Sequence, residues 1–349
     1  MGGCMSLFQD ICHSITERNQ KIEQKIINNW NEVGPVEAYG RLVPVVAQYG
    51  AATEQEELTI PKPCMIIASA DHGVARLGVS AYPIETTVGM TQNYLMPKGA
   101  GANALANYCG AHMEVIDMGV AADMSWVPGL RSHKLGLGTK NFLETPAMTQ
   151  EQAIEGIEAG VSLVQEMMGQ GYNVFLVGEM GIANTTSSAL MTAKFAGLTA
   201  LEATGRGSNI SDDRLKLKQQ IVHDTLRKYE YIDKNDGLGI LAAVGGFEFA
   251  CIVGVILGAA AKKGLVIIDG FNTSACTLVA KTLASQSLDY VMASHLSAEK
   301  AAKSALQNLD KSAYVDLGLC LGEASGGAVQ MGMLDLAVHM YVAMRGGQL

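Results

Sequence analysis

Two glutamates in glycine-rich segments are the residues of this sequence best suited to chemistry. Glu179 lies in residues 177–186 (VGEMGIANTT), and Glu323 lies in residues 321–328 (LGEASGGA). The small neighbours of each glutamate allow a ligand to approach the backbone closely. A helical pattern follows each one, so a carboxylate able to act as a general base precedes a helix start that can bind an anion. The combination predicts group transfer on a phosphorylated small molecule.

The helix start after Glu179 is a candidate phosphate site. Thr185 and backbone N–H groups could surround a phosphate there. Alternatively, Asn184 or Thr185 is an ordinary helix cap. The segment lacks the lysine of a P-loop and is not a G-x-G-x-x-G motif, so ATP-binding and dinucleotide-binding folds are poorly supported.

A second cationic candidate lies further along the chain. Residues 205–209 (GRGSN) precede a helical pattern that carries Arg214, Lys216 and Lys218. These side chains could contact a phosphate, or they could form the solvated face of a helix. The acidic pair at 212–213 resembles the magnesium-binding pair of common phosphoribosyltransferases, but no apolar strand leads into it. We therefore expect that pair at a helix N-terminus.

Asp71 and His72 follow an apolar run and could form a metal or acid/base site. We favour a structural role, in which Asp71 caps the following turn and His72 hydrogen-bonds the backbone, because three metal ligands are not gathered nearby. The seven histidines are dispersed along the sequence without an H-E-x-x-H pairing. A protein-bound catalytic metal is therefore not predicted.

The composition is that of a chain with a large core. Hydrophobic residues make up 48% and charged residues 17% of the 349 residues, which argues against global disorder. The length suits one large α/β domain, alone or with a small satellite domain. The net charge of −9 argues against nucleic-acid binding, which needs a basic face.

The cysteines and the apolar segments indicate a cytoplasmic protein. The seven cysteines are scattered, odd in number and without a C-x-x-C pair, which is typical of reduced thiols. No stretch reaches transmembrane length, and no signal peptide is evident, so we expect no membrane association. Residues 1–6 (MGGCMS) fit the N-myristoylation pattern, which is short and often matched by chance.

Short apolar runs alternate with helical patterns along most of the chain. Strands are predicted at 65–70, 114–117, 173–177, 265–269 and 290–293, and residues 315–321 also look like a strand. Helices are predicted at 9–31, 99–109, 149–168, 185–196, 211–228, 247–262, 271–284, 297–308 and 326–346, the last returning to pack near the first. Continuous apolar strands separated by helices predict an α/β fold with a parallel sheet covered on both faces.

Polar residues follow the ends of four of these predicted strands. Asp71 follows the first strand, Glu179 the third, Asp269 the fourth, and Ser294 with His295 the fifth. In a parallel α/β sheet the ligand crevice lies beyond the carboxyl ends of the strands. The sequence therefore predicts a site at that edge.

Together these segments resemble the family of nicotinate-nucleotide:dimethylbenzimidazole phosphoribosyltransferases. The resemblance covers nearly the whole chain, from Gly40 to the last predicted helix. Six motifs carry it in order: residues 70–74 (ADHGV), 178–186 (GEMGIANTT), 244–248 (VGGFE), 269–271 (DGF), 294–299 (SHLSAE) and 321–326 (LGEASG).

The resemblance implies an activity and a set of site residues. The 5-phosphoribosyl group would move from nicotinate mononucleotide to an aromatic acceptor, with inversion at ribose C1′, to give an α-riboside phosphate for cobamide biosynthesis. Glu323 matches the family's general base, and Glu179 matches a second active-site glutamate. The residues that match nucleotide-holding positions are Gly181, Lys218, Gly245, Gly246 and Ser294. No cofactor is implied.

The resemblance also implies an architecture. A Rossmann-like large domain would span 61–325, and a small helical domain would be built from both chain ends, 1–60 and 326–349. The family is dimeric, so the chain is expected to form a homodimer or to pair with a similar subunit.

The acceptor pocket departs from the family pattern. Some members have serine at the position of Tyr82 and glutamine at that of Met90, and many have glutamine where this chain has Gly89. A more apolar and aromatic wall could accept phenol or p-cresol, as phenol-activating relatives do, or it could accept 5,6-dimethylbenzimidazole. Leu321 is assigned to the substrate-binding residues with Tyr82 and Met90. The usual K-P-x-G-S-L-G-R-L is also altered, at residues 34–42 (GPVEAYGRL).

Two other functions compete with this one. The chain could be a non-catalytic paralogue that binds nucleotide and supports a partner subunit, but the presence of both Glu179 and Glu323 argues against that. It could also be a dinucleotide-dependent oxidoreductase, which the absence of G-x-G-x-x-G after the first strand disfavours.

Overall fold

One parallel sheet organises the chain, as seen in a computed structural model that describes residues 7–96 and 99–346. The MGGCMS pattern at 1–6 lies outside the described residues. The strands are β1 (Pro63–Ala70), β2 (His112–Gly119), β3 (Arg131–Ser132), β4 (Val174–Met180), β5 (Leu265–Ile268) and β6 (Val291–Ala293). They pair in the order β3-β2-β1-β4-β5-β6, and every pairing is parallel.

The strand order explains where a ligand can bind. All residues of β1 and β5 are buried, as expected of strands covered on both faces. The order is that of the Rossmann fold. From β1 the chain adds strands towards one edge of the sheet, then returns to β4 and adds strands towards the other edge, which leaves a crevice between β1 and β4. The α/β prediction is confirmed. The sequence analysis missed β3, since two polar residues carry no strand pattern.

Helices flank the sheet. Within the described residues they are α1 (Leu7–Ser14), α2 (Gln20–Val33), α3 (Val36–Tyr39), α4 (Leu42–Ala52), α5 (Thr86–Asn93), α6 (Gly101–Tyr108), α7 (Gln150–Gly169), α8 (Asn184–Ala196), α9 (Ala200–Ala203), α10 (Asp212–Lys228), α11 (Gly237–Val244), α12 (Phe247–Ala261), α13 (Phe271–Leu283), α14 (Ala302–Asn308) and α15 (Ser325–Met344). Over the part of the chain described, none of them has both the length and the apolar character needed to span a membrane.

The predicted helix 9–31 is wrong in one respect, because the chain forms two helices with a break at 15–19. The side chain of Asn19 accepts hydrogen bonds from backbone N–H groups in the first turn of α2, and so begins that helix. The backbone N–H and the guanidinium of Arg18 both bind Asp289, which holds the intervening segment against the chain before β6.

Two predictions near the C-terminus also need correction. The helix predicted at 297–308 begins only at Ala302, because the preceding residues pair with another segment of the chain. The strand-like run at 315–321 is not a strand: it forms one isolated bridge, and its carbonyls accept the backbone N–H groups of Leu296 and Ala298. This extended segment leads into the turn that carries Glu323.

The two ends of the chain pack together, as predicted. The rings of Trp30 in α2 and Tyr341 in α15 stack with centroids 5.0 Å apart. The amide Nδ2 of Asn29 donates a hydrogen bond of 3.0 Å to the Tyr341 hydroxyl. The division of the chain into a small and a large domain stays a prediction.

Candidate active site

The two glutamates meet at the carboxyl end of β4 because two glycines let their segments touch. A Cβ atom at Gly178 would lie 2.4 Å from the backbone nitrogen of Ala324 and 2.7 Å from the carbonyl carbon of Glu323. A Cβ atom at Gly322 would lie 3.0 Å from Oε1 of Glu179. The turn with Glu323 therefore packs directly on β4, and any side chain at Gly178 would push it away.

The turn with Glu323 has a strained backbone that Asp269 supports. The φ angles of Gly322, Glu323 and Ala324 are +79°, +61° and +61°, a region that costs about 1–3 kcal/mol for each non-glycine residue. The Asp269 carboxylate, which follows β5, accepts the backbone N–H of Gly326 at 2.6 Å. Asp269 thus occupies the N-terminus of α15 and holds the turn in place.

Burial raises the pKa of both glutamates. The pKa of Glu179 rises to about 8, first because it is buried and also because Glu248 and Asp269 repel its charge. Burial raises the pKa of Glu323 as well, and the Asp269 charge adds to the effect. Glu179 is therefore largely protonated near neutral pH. Carboxyl groups with different environments can take different roles in one site.

A chain of amides holds Glu179. The Nδ2 amide of Asn184 donates a hydrogen bond to Glu179. Nδ2 of Asn272 donates to Oδ1 of Asn184 at 3.1 Å, and the Ser188 hydroxyl donates to Oδ1 of Asn272 at 2.7 Å. Asn272 was not among the predicted site residues, although it lies three positions after Asp269.

The start of α8 is free of side-chain caps. Helix α8 begins after Ala183, whose φ is +74°, and no side chain bonds its first N–H groups. The alternative that Asn184 or Thr185 caps the helix is therefore wrong, because Asn184 bonds Glu179 and the Thr185 hydroxyl accepts Nζ of Lys218 at 2.8 Å. The N-terminus of α8, the Thr185 hydroxyl and the Lys218 ammonium form a candidate anion site.

Lys218 is a buried ammonium group beside this helix start. Its side chain is 1% exposed, and burial lowers its pKa to about 8, while the more distant Glu299 acts in the opposite direction. Its hydrogen bond among the described residues goes to the neutral Thr185 hydroxyl. Gly207, with φ +56°, lies against both side chains. A bound anion would compensate the buried charge.

The other basic residues of this region have different partners. The Arg214 guanidinium donates to the carbonyl of Ser80, and Lys216 is exposed. Arg206 pairs with Asp212, the first residue of α10, so the acidic pair is at a helix N-terminus as predicted. Of the three cations on α10 that the sequence singled out, Lys218 alone is buried.

The predicted roles of Asp71 and His72 are wrong. Oδ2 of Asp71 accepts the backbone N–H of Ala121 at 2.7 Å, in the loop after β2 and not in its own turn. Nε2 of His72 lies 2.6 Å from Oε1 of Glu248, and both side chains are fully buried. Its Nδ1 lies 3.2 Å from the Ser187 hydroxyl. Within residues 7–96 and 99–346, no three His, Cys, Asp or Glu side chains are grouped as metal ligands would be.

The His72 ring lies between two of the predicted glycines. A Cβ atom at Gly181 would lie 2.5 Å from the carbonyl oxygen of Ala70 and 3.2 Å from Nε2 of His72. A Cβ atom at Gly246 would lie 2.6 Å from Cε1 of His72, and one at Gly245 would lie 2.5 Å from the Leu241 carbonyl oxygen. All three positions thus require glycine. Gly246 precedes α12, whose start also has no side-chain cap.

Ser294 has a backbone partner. Its hydroxyl donates a hydrogen bond of 2.6 Å to the carbonyl oxygen of Asp269, which joins the loops after β5 and β6. Ser294 is buried at the edge where the predicted strand ends meet.

The predicted acceptor residues are exposed or half-buried side chains. Tyr82, before α5, is 57% exposed, and Leu321 is 54% exposed with its Cδ2 near the start of α6. Met90 in α5 is half-buried. Sequence reasoning missed Tyr94, one turn after Met90, whose buried hydroxyl faces Glu323.

Comparisons with known proteins extend over almost the whole chain. Residues 15–348 match the family model described as phosphoribosyltransferase. The nicotinate-nucleotide–dimethylbenzimidazole phosphoribosyltransferase of Roseiflexus sp. (strain RS-1) is 40% identical over 303 residues, which cover 87% of this chain and 85% of the relative. The protein of the same name from Chlorobaculum tepidum is 37% identical over 338 residues, covering 97% and 95%. The crystal structure of CobT from Thermus thermophilus superposes with a TM-score of 0.87 at 30% identity, covering 94% of this chain and 99% of that one.

Proposed function

Because the chain belongs to the family of nicotinate-nucleotide–dimethylbenzimidazole phosphoribosyltransferases, we propose that it transfers the 5-phosphoribosyl group of nicotinate mononucleotide to an aromatic lower-ligand base for cobamide synthesis. The observation that carries the proposal is the placement of Glu179 and Glu323 together at the carboxyl end of β4. Neither glutamate has a lysine or arginine within ion-pair distance among the described residues, so a structural ion pair does not explain their burial.

The donor phosphate would bind at the start of α8. The Thr185 hydroxyl and the Lys218 ammonium meet there at the positive end of the helix dipole. Gly181, Gly245, Gly246 and Ser294 match the family positions that hold the nucleotide, and we assign them the same role here. The phosphate is not cleaved in this reaction; it is a handle that orients ribose C1′, and orientation supplies much of the rate.

The chemistry at C1′ requires one general base. The bond from C1′ to the pyridinium nitrogen of nicotinate breaks, and its electron pair returns to that nitrogen, so the leaving group needs no acid. The acceptor forms the new bond to C1′ through its unprotonated ring nitrogen or its phenol oxygen. It loses one proton, from the other ring nitrogen or from that oxygen, and we propose that Glu323 takes this proton. Glu179, protonated near neutral pH, would instead donate a hydrogen bond to the substrate.

The side chains assigned to the acceptor pocket are compatible with two classes of acceptor substrate. Tyr82 and Leu321 are exposed apolar side chains, and Met90 on α5 is half-buried. Such a wall would suit phenol or p-cresol, which gives an O-linked riboside, as well as 5,6-dimethylbenzimidazole. We place the enzyme in the cytoplasm, a location supported by the free thiols of the cysteines in the described residues.

The role of the base is tested by Glu323→Gln. The variant should bind nicotinate mononucleotide as tightly as the wild type. Turnover should fall by about 100-fold or more, because no carboxylate remains to take the proton from the aromatic substrate. Product formation and donor binding would be measured by mass spectrometry and calorimetry. The matched control is Glu37→Gln, at an exposed position in α3. Unchanged turnover in Glu323→Gln would refute the assignment.

The acceptor is tested by competition. The purified enzyme would receive nicotinate mononucleotide with equal concentrations of 5,6-dimethylbenzimidazole and p-cresol. A cresol riboside phosphate would establish a phenol-activating enzyme, and the benzimidazole product alone would exclude one. The absence of both products would favour the alternative, a non-catalytic subunit that supports a catalytic partner.

A further inference from the structure

Tyr94 is packed or hydrogen-bonded except at its hydroxyl. It directly follows α5 and is 1% exposed. Its backbone N–H donates to the carbonyl of Met90 at 3.2 Å, and its own carbonyl accepts Nδ2 of Asn103 at 2.6 Å. The ring belongs to the main hydrophobic core. The hydroxyl, in contrast, completes no hydrogen bond of standard geometry within the described residues.

Two carboxyl groups act on this hydroxyl. They are Glu323, in the turn before α15, and Glu179, at the end of β4. The charge of Asp269, after β5, acts on Glu323 in turn. Burial and the two glutamates raise the pKa of Tyr94 well above its usual range. The hydroxyl therefore keeps its proton and meets a carboxylate only as a donor.

Packing does not explain why this position has a tyrosine hydroxyl. A phenylalanine would fill the same space, whereas a buried polar atom without a partner lowers stability. The hydroxyl instead faces the one carboxylate to which the proposed mechanism assigns proton transfer. If the hydroxyl forms its hydrogen bond to Glu323 when substrate binds, that bond would stabilise the ionised form of the carboxylate.

We propose that Tyr94 is a positioning residue, whose hydroxyl donates a hydrogen bond to Glu323 in the substrate complex and keeps this carboxylate ionised and directed at the acceptor. The inference rests on the proposed role of Glu323 as the base. Helix α5 provides the link to the substrate, because Met90 lies four residues before Tyr94 and hence on the same helix face. An acceptor seated against Met90 would lie beside the pair of Tyr94 and Glu323.

The test is Tyr94→Phe, assayed as kcat/KM against pH together with thermal unfolding. Loss of the donor should move the acid limb of the profile to higher pH by about one unit, which lowers kcat/KM about tenfold on that limb. The KM for nicotinate mononucleotide should stay unchanged. The Tm should stay equal or rise, since an unpaired buried hydroxyl is removed.

Tyr49→Phe is the matched control. The Tyr49 hydroxyl is as deeply buried but donates to the Thr59 carbonyl and accepts from Asn173, both at 3.1 Å. That variant should lose Tm and keep the wild-type acid limb, which is the signature of a purely structural hydroxyl.

The outcomes separate the role of Tyr94 as a positioning residue from the role of Glu323 as the base. An unshifted acid limb in Tyr94→Phe, or a loss of Tm like that of the control, would overturn the role of Tyr94. A changed KM for the acceptor without a shifted limb would also overturn it, because the hydroxyl would then bind substrate directly. Full turnover by Glu323→Gln would instead refute the proposed base itself.

Discussion

Lys218 and Glu179 have pKa values displaced in opposite directions by the same cause. Burial lowers the pKa of Lys218 to about 8 and raises that of Glu179 to about 8, so each charged form is disfavoured in the folded enzyme. Such groups cost stability unless a ligand compensates them. At the residue scale the site is therefore incomplete without its substrate, because a phosphate would pair with the ammonium.

Lys218→Met should stabilise the enzyme and weaken donor binding. The folded pKa lies below the unfolded value of 10.5, so the folded state binds fewer protons, and the buried charge lowers stability fully below about pH 8. The variant should gain about 1–3 kcal/mol in unfolding free energy at pH 7, and the gain should vanish as pH approaches 10.5. Chemical denaturation at several pH values would measure it, and calorimetry with nicotinate mononucleotide should show about 100-fold weaker binding.

Lys194→Met is the control, because the ammonium group of Lys194 has hydrogen-bond partners. Nζ of Lys194 donates to the backbone carbonyls of Tyr229 and Ile232 at 3.0 and 2.7 Å. Its replacement should lower the free energy of unfolding and leave the affinity for nicotinate mononucleotide unchanged. A loss of stability in Lys218→Met like that of the control would contradict the idea of an uncompensated buried charge.

At the scale of elements, the contact between β4 and the Glu323 turn positions the proposed base. Gly178→Ala would place a Cβ atom 2.4 Å from the Ala324 backbone nitrogen, closer than atoms pack, so the turn must move. A displacement of about 1 Å can cost about 100-fold in rate, and we expect a loss of kcat/KM of that order.

The control for this substitution is Gly169→Ala, at the end of α7, where an added Cβ meets nothing within 4 Å. That variant should keep full activity and gain slightly in stability, by up to about 1 kcal/mol. Steady-state kinetics of both variants would decide the matter. Wild-type kcat/KM in Gly178→Ala would show that the turn does not depend on this contact.

The elements themselves were largely predictable, because periodicity is a local signal. The buried strands and long helices follow from runs of apolar residues, whereas the break at 15–19 depends on Arg18 reaching Asp289 far along the chain. The strand-like run 315–321 was misread for a similar reason, since whether it pairs depends on its neighbours.

The candidate site was predictable in its residue types but not in its pairings. Both glutamates and the glycines were identifiable from motifs and from the family resemblance. The pairing of His72 with Glu248 joins residues 176 positions apart, and the approach of Tyr94 to Glu323 depends on the fold in the same way. No local pattern specifies such contacts.

At the scale of the whole molecule, an apolar strip remains exposed on α6 and α15. Tyr108, at the end of α6, is 84% exposed, and a Cβ atom at Gly332 in α15 would lie 3.8 Å from its ring. Leu336, one turn further along α15, is 59% exposed. Exposed apolar side chains grouped in this way are typical of a protein interface. We propose that the strip buries against a second copy of the chain or a similar subunit.

Leu336→Lys should therefore dissociate the assembly. A charged side chain placed in an apolar interface must lose its hydration without gaining a partner, so a dimer constant should weaken by about 100-fold or more. Light scattering over a range of concentrations would measure it. The control, Leu201→Lys, changes a leucine on α9 that is 61% exposed, and it should leave the assembly intact. A wild-type chain that is monomeric at every concentration would exclude the homodimer, and restored assembly on adding a similar subunit would then identify the heterodimer. Dimerisation unaffected by Leu336→Lys would place the interface elsewhere on the molecule.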